Sequence, residues 1–236
     1  MQKTAGLAGT QHLFGLENVD IGGAIFDLDG VLVDTARYHY LAWKRLAGEL
    51  GFNFTESDNE RLKGVSRIHS LEILLETGGI AMAADEKEKA AARKNAWYVE
   101  YLLTLDESAL LAGTKSYLLW LRESGIRIAL GSASKNAALI LERLNIAAMF
   151  DAVIDGNSVA KAKPDPEVFL QGAQALGMMP GNCVVFEDAL AGIEAAKAGG
   201  MRVIAVGNPV LLPGADRYID SLADMLPHPQ KQKPRP

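Results

Sequence analysis

The sequence predicts an α/β fold: a Rossmann-like, three-layer core on a parallel sheet, with a helical cap domain inserted into it. Three observations lead there. Short apolar runs recur at residues 24–26, 126–130, 152–154, 183–186 and 202–206. They are apolar on both faces and separated by helix-length segments, the pattern of strands covered by helices on both sides. One stretch, residues 35–110, breaks the alternation with helical pattern and no convincing strand.

Residues 1–20 are mixed and aperiodic and are expected to form a loosely attached extension. The core then takes residues 21–34 and 111–226, and the helical domain takes 35–110. Asp34 is a good N-cap for a first helix that carries Tyr38, Leu41, Ala42, Leu46 and Leu50 inward before Gly51 stops it. Asp85 and Glu88 have the spacing of a variant capping box, ahead of a long helix reaching about Leu105. The tail over 227–236 holds four prolines among polar residues and is expected to be disordered. No internal repeat is present.

Composition narrows the function classes. With 49% hydrophobic residues in a chain of 236, there is ample material for a packed core. The net charge of -5 and the lack of a basic stretch argue against nucleic acid as a partner. The same charge would repel a phosphorylated substrate, so any phosphate site must be locally positive. Cys183, the one cysteine, lies in an apolar run and reads as a buried thiol in a reducing compartment. No apolar run approaches the roughly 20 residues of a membrane helix. The first residues lack the pattern of a secretory signal, so a cytoplasmic location is expected, as is a monomer.

Ligands of open α/β sheets bind beyond the carboxyl ends of the strands. The first run leads into Asp27-Leu28-Asp29-Gly30, the second into Gly131-Ser132-Ala133-Ser134-Lys135-Asn136. The third is followed by Lys161-Ala162-Lys163-Pro164, and the fourth ends in Glu187-Asp188. Asp27 and Asp29 point the same way from a strand end, and Glu187 and Asp188 arrive at the same edge. Four acidic groups in one cleft require a cation, and an all-oxygen ligand set suits Mg²⁺. Ser132, between strand and helix, can grip phosphate or simply make a serine turn. Lys163 gains meaning from its company, since a lone Lys-Pro is usually a surface turn. The isomer of its bond to Pro164 cannot be read from sequence.

These residues carry a resemblance. The segment from Phe26 to Thr35 resembles the first motif of the haloacid dehalogenase superfamily, and Ser132, Lys163-Pro164 and Glu187-Asp188 resemble its second, third and fourth motifs in order. The helical insert after the first motif is similar to that superfamily's small cap. The resemblance implies that Asp27 is a nucleophile carrying a phosphoryl group and Asp29 a general acid and base. It implies that Mg²⁺ is held by Asp27, Glu187, Asp188 and the main-chain carbonyl of Asp29, and that Ser132, Ala133 and Lys163 bind the transferring phosphate. Where the family commonly has serine after the acidic pair, this chain has Ala189.

The insert narrows the expectation. Thr35, His39 and Trp43 recur every four residues and share a helix face beside the catalytic loop. Lys63-Gly64-Val65-Ser66-Arg67 sets two cations around a turn, and Arg93-Lys94-Asn95 adds more. The combination is similar to the sugar-phosphate mutases of the superfamily. That likeness implies transfer between the 1- and 6-positions of glucose through a sugar bisphosphate. Arg67 would hold the distal phosphate, with Lys63, Gly64, Val65, Ser66, Lys94, Ser134, Lys135 and Asn136 around the substrate. His39 and Thr35 would contact Asp29 or the hinge. Read singly, Arg67 and Lys63 are solvated charges, His39 a helix-surface histidine and Trp43 core. A Mg²⁺-dependent sugar-phosphate phosphatase is the nearest alternative. A non-catalytic binding module is more distant, since no glycine-rich nucleotide motif is present.

Overall fold

The structure, a computed structural model, describes residues 14–16, 20–62 and 65–227. The tail beyond 227, most of the leading extension, and Lys63 and Gly64 lie outside the described residues.

Six parallel strands form one sheet: β1 (Gly23–Phe26), β2 (Arg127–Gly131), β3 (Ala152–Ile154), β4 (Cys183–Glu187), β5 (Arg202–Val206) and β6 (Arg217–Ile219), in the order β3-β2-β1-β4-β5-β6. The order reverses at β1, so the crevice beyond β1 and β4 is where such a sheet opens to a ligand. In register, Phe26 stands opposite Leu130 on one side and Phe186 on the other. Alternation then sorts the core. Ile25, Ala129 and Val185 pack toward helices α7 (Glu167–Ala175) and α8 (Leu190–Ala198), whereas Ala24, Phe26, Ile128 and Leu130 face α5 (Thr114–Glu123) and α6 (Ala137–Arg143). Three layers result, as the apolar runs require.

Helices α1 (Ala36–Glu49), α2 (Glu56–Glu60), α3 (Arg67–Gly78) and α4 (Ala84–Leu102) form the insert. Trp43, Leu46, Leu71, Leu74 and Tyr98 fill its interior. The chain leaves and re-enters the core side by side: Val33 bridges Leu110 and the Leu111 N–H donates to the Leu32 carbonyl at 3.0 Å. Among the described residues, no helix is long and apolar enough to cross a membrane.

Four expectations need correction. Leu41 faces outward at 37% exposure, because the buried stripe of α1 runs through Ala42, Trp43, Leu46 and Ala47. Asp85 does not cap α4; the helix starts at Ala84, and Glu86 accepts from the Ala83 N–H at 3.2 Å while Asp85 pairs with Lys89. That helix ends at Leu102. The leading extension is not loose throughout, since Phe14 is buried against Phe186 with ring centroids 6.4 Å apart. Arg217 Nη1 also donates to the Phe14 carbonyl at 2.7 Å.

The sixth strand was not foreseen. Its three residues carry no apolar run, and their position is set by Asp216. That carboxylate accepts from the Val203 N–H at 2.7 Å, Lys197 at 2.6 Å and Arg202 at 3.1 Å. Burial pushes the Asp216 carboxyl up, but those donors prevail together and hold it below its ordinary value. A depressed folded-state value means that the stabilisation is complete above the unfolded value and is lost as pH falls through the lowered one. Asp216→Asn is therefore expected to cost about 1–2 kcal/mol in urea unfolding at neutral pH, with the gap closing in acid. Phe14→Ala should cost about 3 kcal/mol by the same measurement. A cost near zero would mean that the extension does not contribute to the core.

Candidate active site

The site grows out of the ends of β1 and β4. Asp27 follows β1 directly, and its N–H donates to the Phe186 carbonyl at 2.9 Å, which locks the two strand ends together. Its side chain is buried, as are Glu187 and Lys163. The Lys163 ammonium donates to Asp27 Oδ1 at 2.6 Å and to Glu187 Oε2 at 2.9 Å, and it lies 4.7 Å from the centre of the Phe169 ring. The Lys163–Pro164 peptide is cis. Burial alone would lower the lysine's proton affinity; the two carboxylates outweigh it and raise the net value above the ordinary one. Glu187 is pushed up by burial and by Asp27 and Asp188, against the pull of Lys163. Its other oxygen accepts from the Ala189 N–H at 3.2 Å.

Ligand oxygens of Asp27, Glu187 and Asp188 lie within 4.8 Å of one another. Two glycines make room for this cluster. Gly30, at φ +78°, has no Cβ to collide with the Asp188 carboxylate, and a Cβ on Gly192 in α8 would strike Glu187. Three carboxylates this close offer an all-oxygen donor set, which fits a hard divalent cation. The Asp29 carboxylate stands outside that cluster. Its Oδ1 is enclosed without a hydrogen-bond partner, and burial, then the Asp27 charge, push its carboxyl up to about 8 against the pull of Lys163 and Lys94.

A cleft of about 1090 Å³ opens above these acids. Asp27, Asp29 and Asp188 line it, and so do Arg67, Lys94 and Lys135. Asp34, Glu60 and Asp220 line it too, so acids outnumber cations around the cleft, and a phosphate there would depend on Arg67, Lys94 and Lys135 at close range rather than on a positive cavity. Ser132, at the end of β2, is buried at the cleft wall, and its Oγ accepts from the Ser134 N–H at 3.1 Å. The hydroxyl makes a serine turn and lines the cleft at once. Ala133, Ser134 and Asn136 follow on the same wall, and the Asn136 amide donates to Asn95 of α4 at 2.9 Å, joining core and insert.

From the insert, His39, Trp43 and Val65 also reach the cleft. Lys94 is enclosed, with Nζ 2.9 Å from His39 Nδ1 and 4.4 Å from the centre of the Trp43 ring. Burial first, and Arg67 second, push the Lys94 amine well below its ordinary value, with Asp29 opposing. Burial, then the Lys94 and Arg67 charges, push His39 well below its ordinary value too, and its Nδ1 shares the 2.9 Å contact with Lys94 Nζ. Arg67, half-buried at the start of α3, has no carboxylate partner among the described residues. Its charge is free for a ligand.

Some foreseen residues stand elsewhere. Ser66 caps α3 by accepting from the His69 N–H at 3.3 Å and does not line the cleft. Arg93 turns away to Glu49, at 3.2 Å. Thr35, Lys163 and Glu187 lie behind the wall. Tyr98, beside His39, was not foreseen, nor were Asn208 and Asp220 at the far rim. An i, i+4 step from Lys94 was the available signal for Tyr98; the rim residues offered none.

A family model described as haloacid dehalogenase-like hydrolase matches residues 21–200. The chain is 43% identical over 203 residues to the β-phosphoglucomutase of Bacillus subtilis strain 168, covering 85% of this chain and 90% of that protein. It is 32% identical over 182 residues to a phosphorylated carbohydrates phosphatase of Thermotoga maritima, covering 76% and 82% respectively. Among solved structures, a β-phosphoglucomutase from Clostridium difficile matches with a TM-score of 0.83 at 40% identity, covering 86% of this chain and 92% of that one.

The acidic cluster makes a thermodynamic prediction. Mg²⁺ at a hundred times its dissociation constant should stabilise the fold by about 2.7 kcal/mol in thermal melts. Asp188→Asn should weaken that affinity at least about tenfold, or roughly 1.4 kcal/mol. A melting curve indifferent to Mg²⁺ would contradict the reading of these acids.

Proposed function

The chain belongs to the haloacid dehalogenase-like hydrolases, and within that family we propose that it is a β-phosphoglucomutase, interconverting β-D-glucose 1-phosphate and glucose 6-phosphate through the 1,6-bisphosphate. The observation that carries this reading is the placement of Arg67, without a carboxylate partner among the described residues, in the same cleft as Asp27, Asp29 and Asp188. A mutase must hold one phosphate while the other reacts, so it needs a cation away from the reacting centre. The likeness to two β-phosphoglucomutases, of Bacillus subtilis and Clostridium difficile, supports it.

Each chemical role falls to a side chain at the sheet edge. An Asp27 carboxylate oxygen forms the bond to phosphorus as the bond from phosphorus to the sugar oxygen breaks. Asp29 gives its proton to that leaving oxygen and becomes a carboxylate. In the reverse transfer, Asp29 takes the proton from the sugar hydroxyl as its oxygen attacks the aspartyl-phosphate. Lys163 and Ser132 bind the equatorial phosphoryl oxygens, where charge accumulates. Asp27, Glu187, Asp188 and the main-chain carbonyl of Asp29 would hold Mg²⁺, which would supply the positive charge that lets one anion approach another. Residues 35–110 act as a cap that closes over the sugar and excludes water. Arg67 fixes the distal phosphate, with Lys94, Lys135, Ser134 and Asn136 around the sugar.

A sugar-phosphate phosphatase on the same scaffold is the second reading, favoured by the likeness to the Thermotoga maritima phosphatase. Phosphorus NMR separates the two. With β-glucose 1-phosphate, Mg²⁺ and a trace of the bisphosphate, the mutase reading expects glucose 6-phosphate to accumulate without matching inorganic phosphate. Release of phosphate alone would favour the phosphatase. Arg67→Ala should lower mutase turnover at least about tenfold, equivalent to roughly 1.4 kcal/mol in the barrier. Undiminished turnover would remove Arg67 from the distal site.

A further inference from the structure

We propose that Asn59 is a specificity-determining residue that reads two neighbouring hydroxyl groups of a sugar ring held in the cleft. The proposal rests on the reading of the substrate as a sugar phosphate. Asn59 belongs to α2, in the insert. It lines the cleft and is only 7% exposed, yet its side-chain amide makes no hydrogen bond among the described residues. Nor is the amide sealed in: the unpaired side-chain atoms cut off from solvent belong to Asp29, Thr35, Tyr98 and Tyr117. It is reachable, on a cavity wall, and unpaired.

Local structure does not use this side chain. The start of α2 is held by Thr55 and Asp58: the Asp58 N–H donates to Thr55 Oγ1 at 3.2 Å, and the Thr55 N–H to Asp58 Oδ2 at 2.9 Å. The Asn59 main chain is satisfied as well, its N–H donating to the Thr55 carbonyl at 3.2 Å and its carbonyl accepting from the Leu62 N–H at 3.0 Å. Asparagine is a poor helix former, favoured where its side chain bonds to nearby backbone, and no such bond is made here. Burying an amide without a partner is costly. A ligand supplies the missing partner.

Elimination and chemistry together say which part of the ligand. Of the other neutral polar groups that the insert gives to the cleft, Asn95 is bonded to Asn136 and His39 is engaged by Lys94. Ser70 stands three residues after Arg67, on the same face of α3. Asn59 remains, with a donor at Nδ2 and an acceptor at Oδ1 side by side. A phosphate dianion only accepts, so it would leave Oδ1 unpaired against negative charge. Adjacent ring hydroxyls offer an acceptor and a donor together. Leu62, one turn on, is buried in the same wall, so water competes poorly there. A sugar lacking either hydroxyl leaves the amide half paired, and sites built that way discriminate strongly.

The test pairs changes in the protein with changes in the substrate. In the Mg²⁺-loaded full-length chain, kcat/KM for consumption of β-glucose 1-phosphate and of its 2-, 3- and 4-deoxy analogues is followed by phosphorus NMR. Asn59→Ala is expected to melt at or above the wild-type temperature, since no hydrogen bond is lost. It should consume β-glucose 1-phosphate about tenfold less efficiently, equivalent to roughly 1.4 kcal/mol. For at least one deoxy analogue the wild type should lose a similar factor and Asn59→Ala should lose no more, as partners in one contact do. Undiminished consumption by Asn59→Ala, or losses that multiply for every analogue, would overturn the proposal. If Asn59→Ala does not fold, Asn59→Asp, which keeps the shape and removes the donor, overturns it by matching the wild type on β-glucose 1-phosphate. A lowered melting temperature in both variants would make the residue structural and overturn it too. Multiplying losses in an enzyme that forms glucose 6-phosphate leave the mutase reading standing; release of phosphate without glucose 6-phosphate sinks that reading and leaves this comparison intact.

Discussion

Lys163 places one ammonium group between two enclosed carboxylates, Asp27 at the end of β1 and Glu187 at the end of β4, and the rest of the sheet edge is arranged around that compromise. A buried charge without a partner is costly, and breaking such a pair typically destabilises by about 3–5 kcal/mol. Asp188 adds a third carboxylate to the same cluster, and donor oxygens within 4.8 Å of one another are what suit the site to a divalent cation. The fold keeps the acids together by strand register, with Asp27 bonded to the Phe186 carbonyl, and by two glycines whose missing Cβ atoms leave space for Asp188 and Glu187.

The insert contributes the opposite sign. Arg67 and Lys94 bring positive charge into a cleft whose floor is acidic, and burial alongside Arg67 weakens the hold of Lys94 on its own proton. Such an arrangement is sensitive to how α4 sits over the core. Asn95 and Asn136 already bridge the two parts, and the two crossings run side by side at Val33 and Leu110. Motion of the insert would therefore be felt first at Thr35 and Asp29, where the chain leaves the core. In this account the chemistry and the closure of the cleft are coupled through very few residues.

The sequence was most legible where a residue type has few alternatives. Aspartates two apart after an apolar run, and an acidic pair after another, located the cation cluster because like charges at a strand end demand compensation. Five of the six strands were readable for a related reason: their residues are apolar on both faces. The sixth was hidden because its place depends on the Asp216 contacts rather than on its own composition. Leu41 and Asp85 misled because helix phase within a turn or two is set by packing, which local pattern does not encode. Phe14 was missed because one aromatic in an aperiodic stretch gives no sign that it will fill a gap beside Phe186. Tyr98 and the distribution of polar partners around His39 and Lys94 follow from the docking of α4 on α1, a tertiary fact.

The nucleophile is the most direct point of contact between this account and experiment. Protein mixed with labelled β-glucose 1,6-bisphosphate and Mg²⁺, quenched in acid and reduced with borohydride, converts any aspartyl-phosphate to homoserine, which peptide mapping locates. The account predicts homoserine at position 27 in the wild-type protein and none in Asp27→Asn. Label at another side chain, or turnover of substrate with no trapped acyl phosphate, would contradict it.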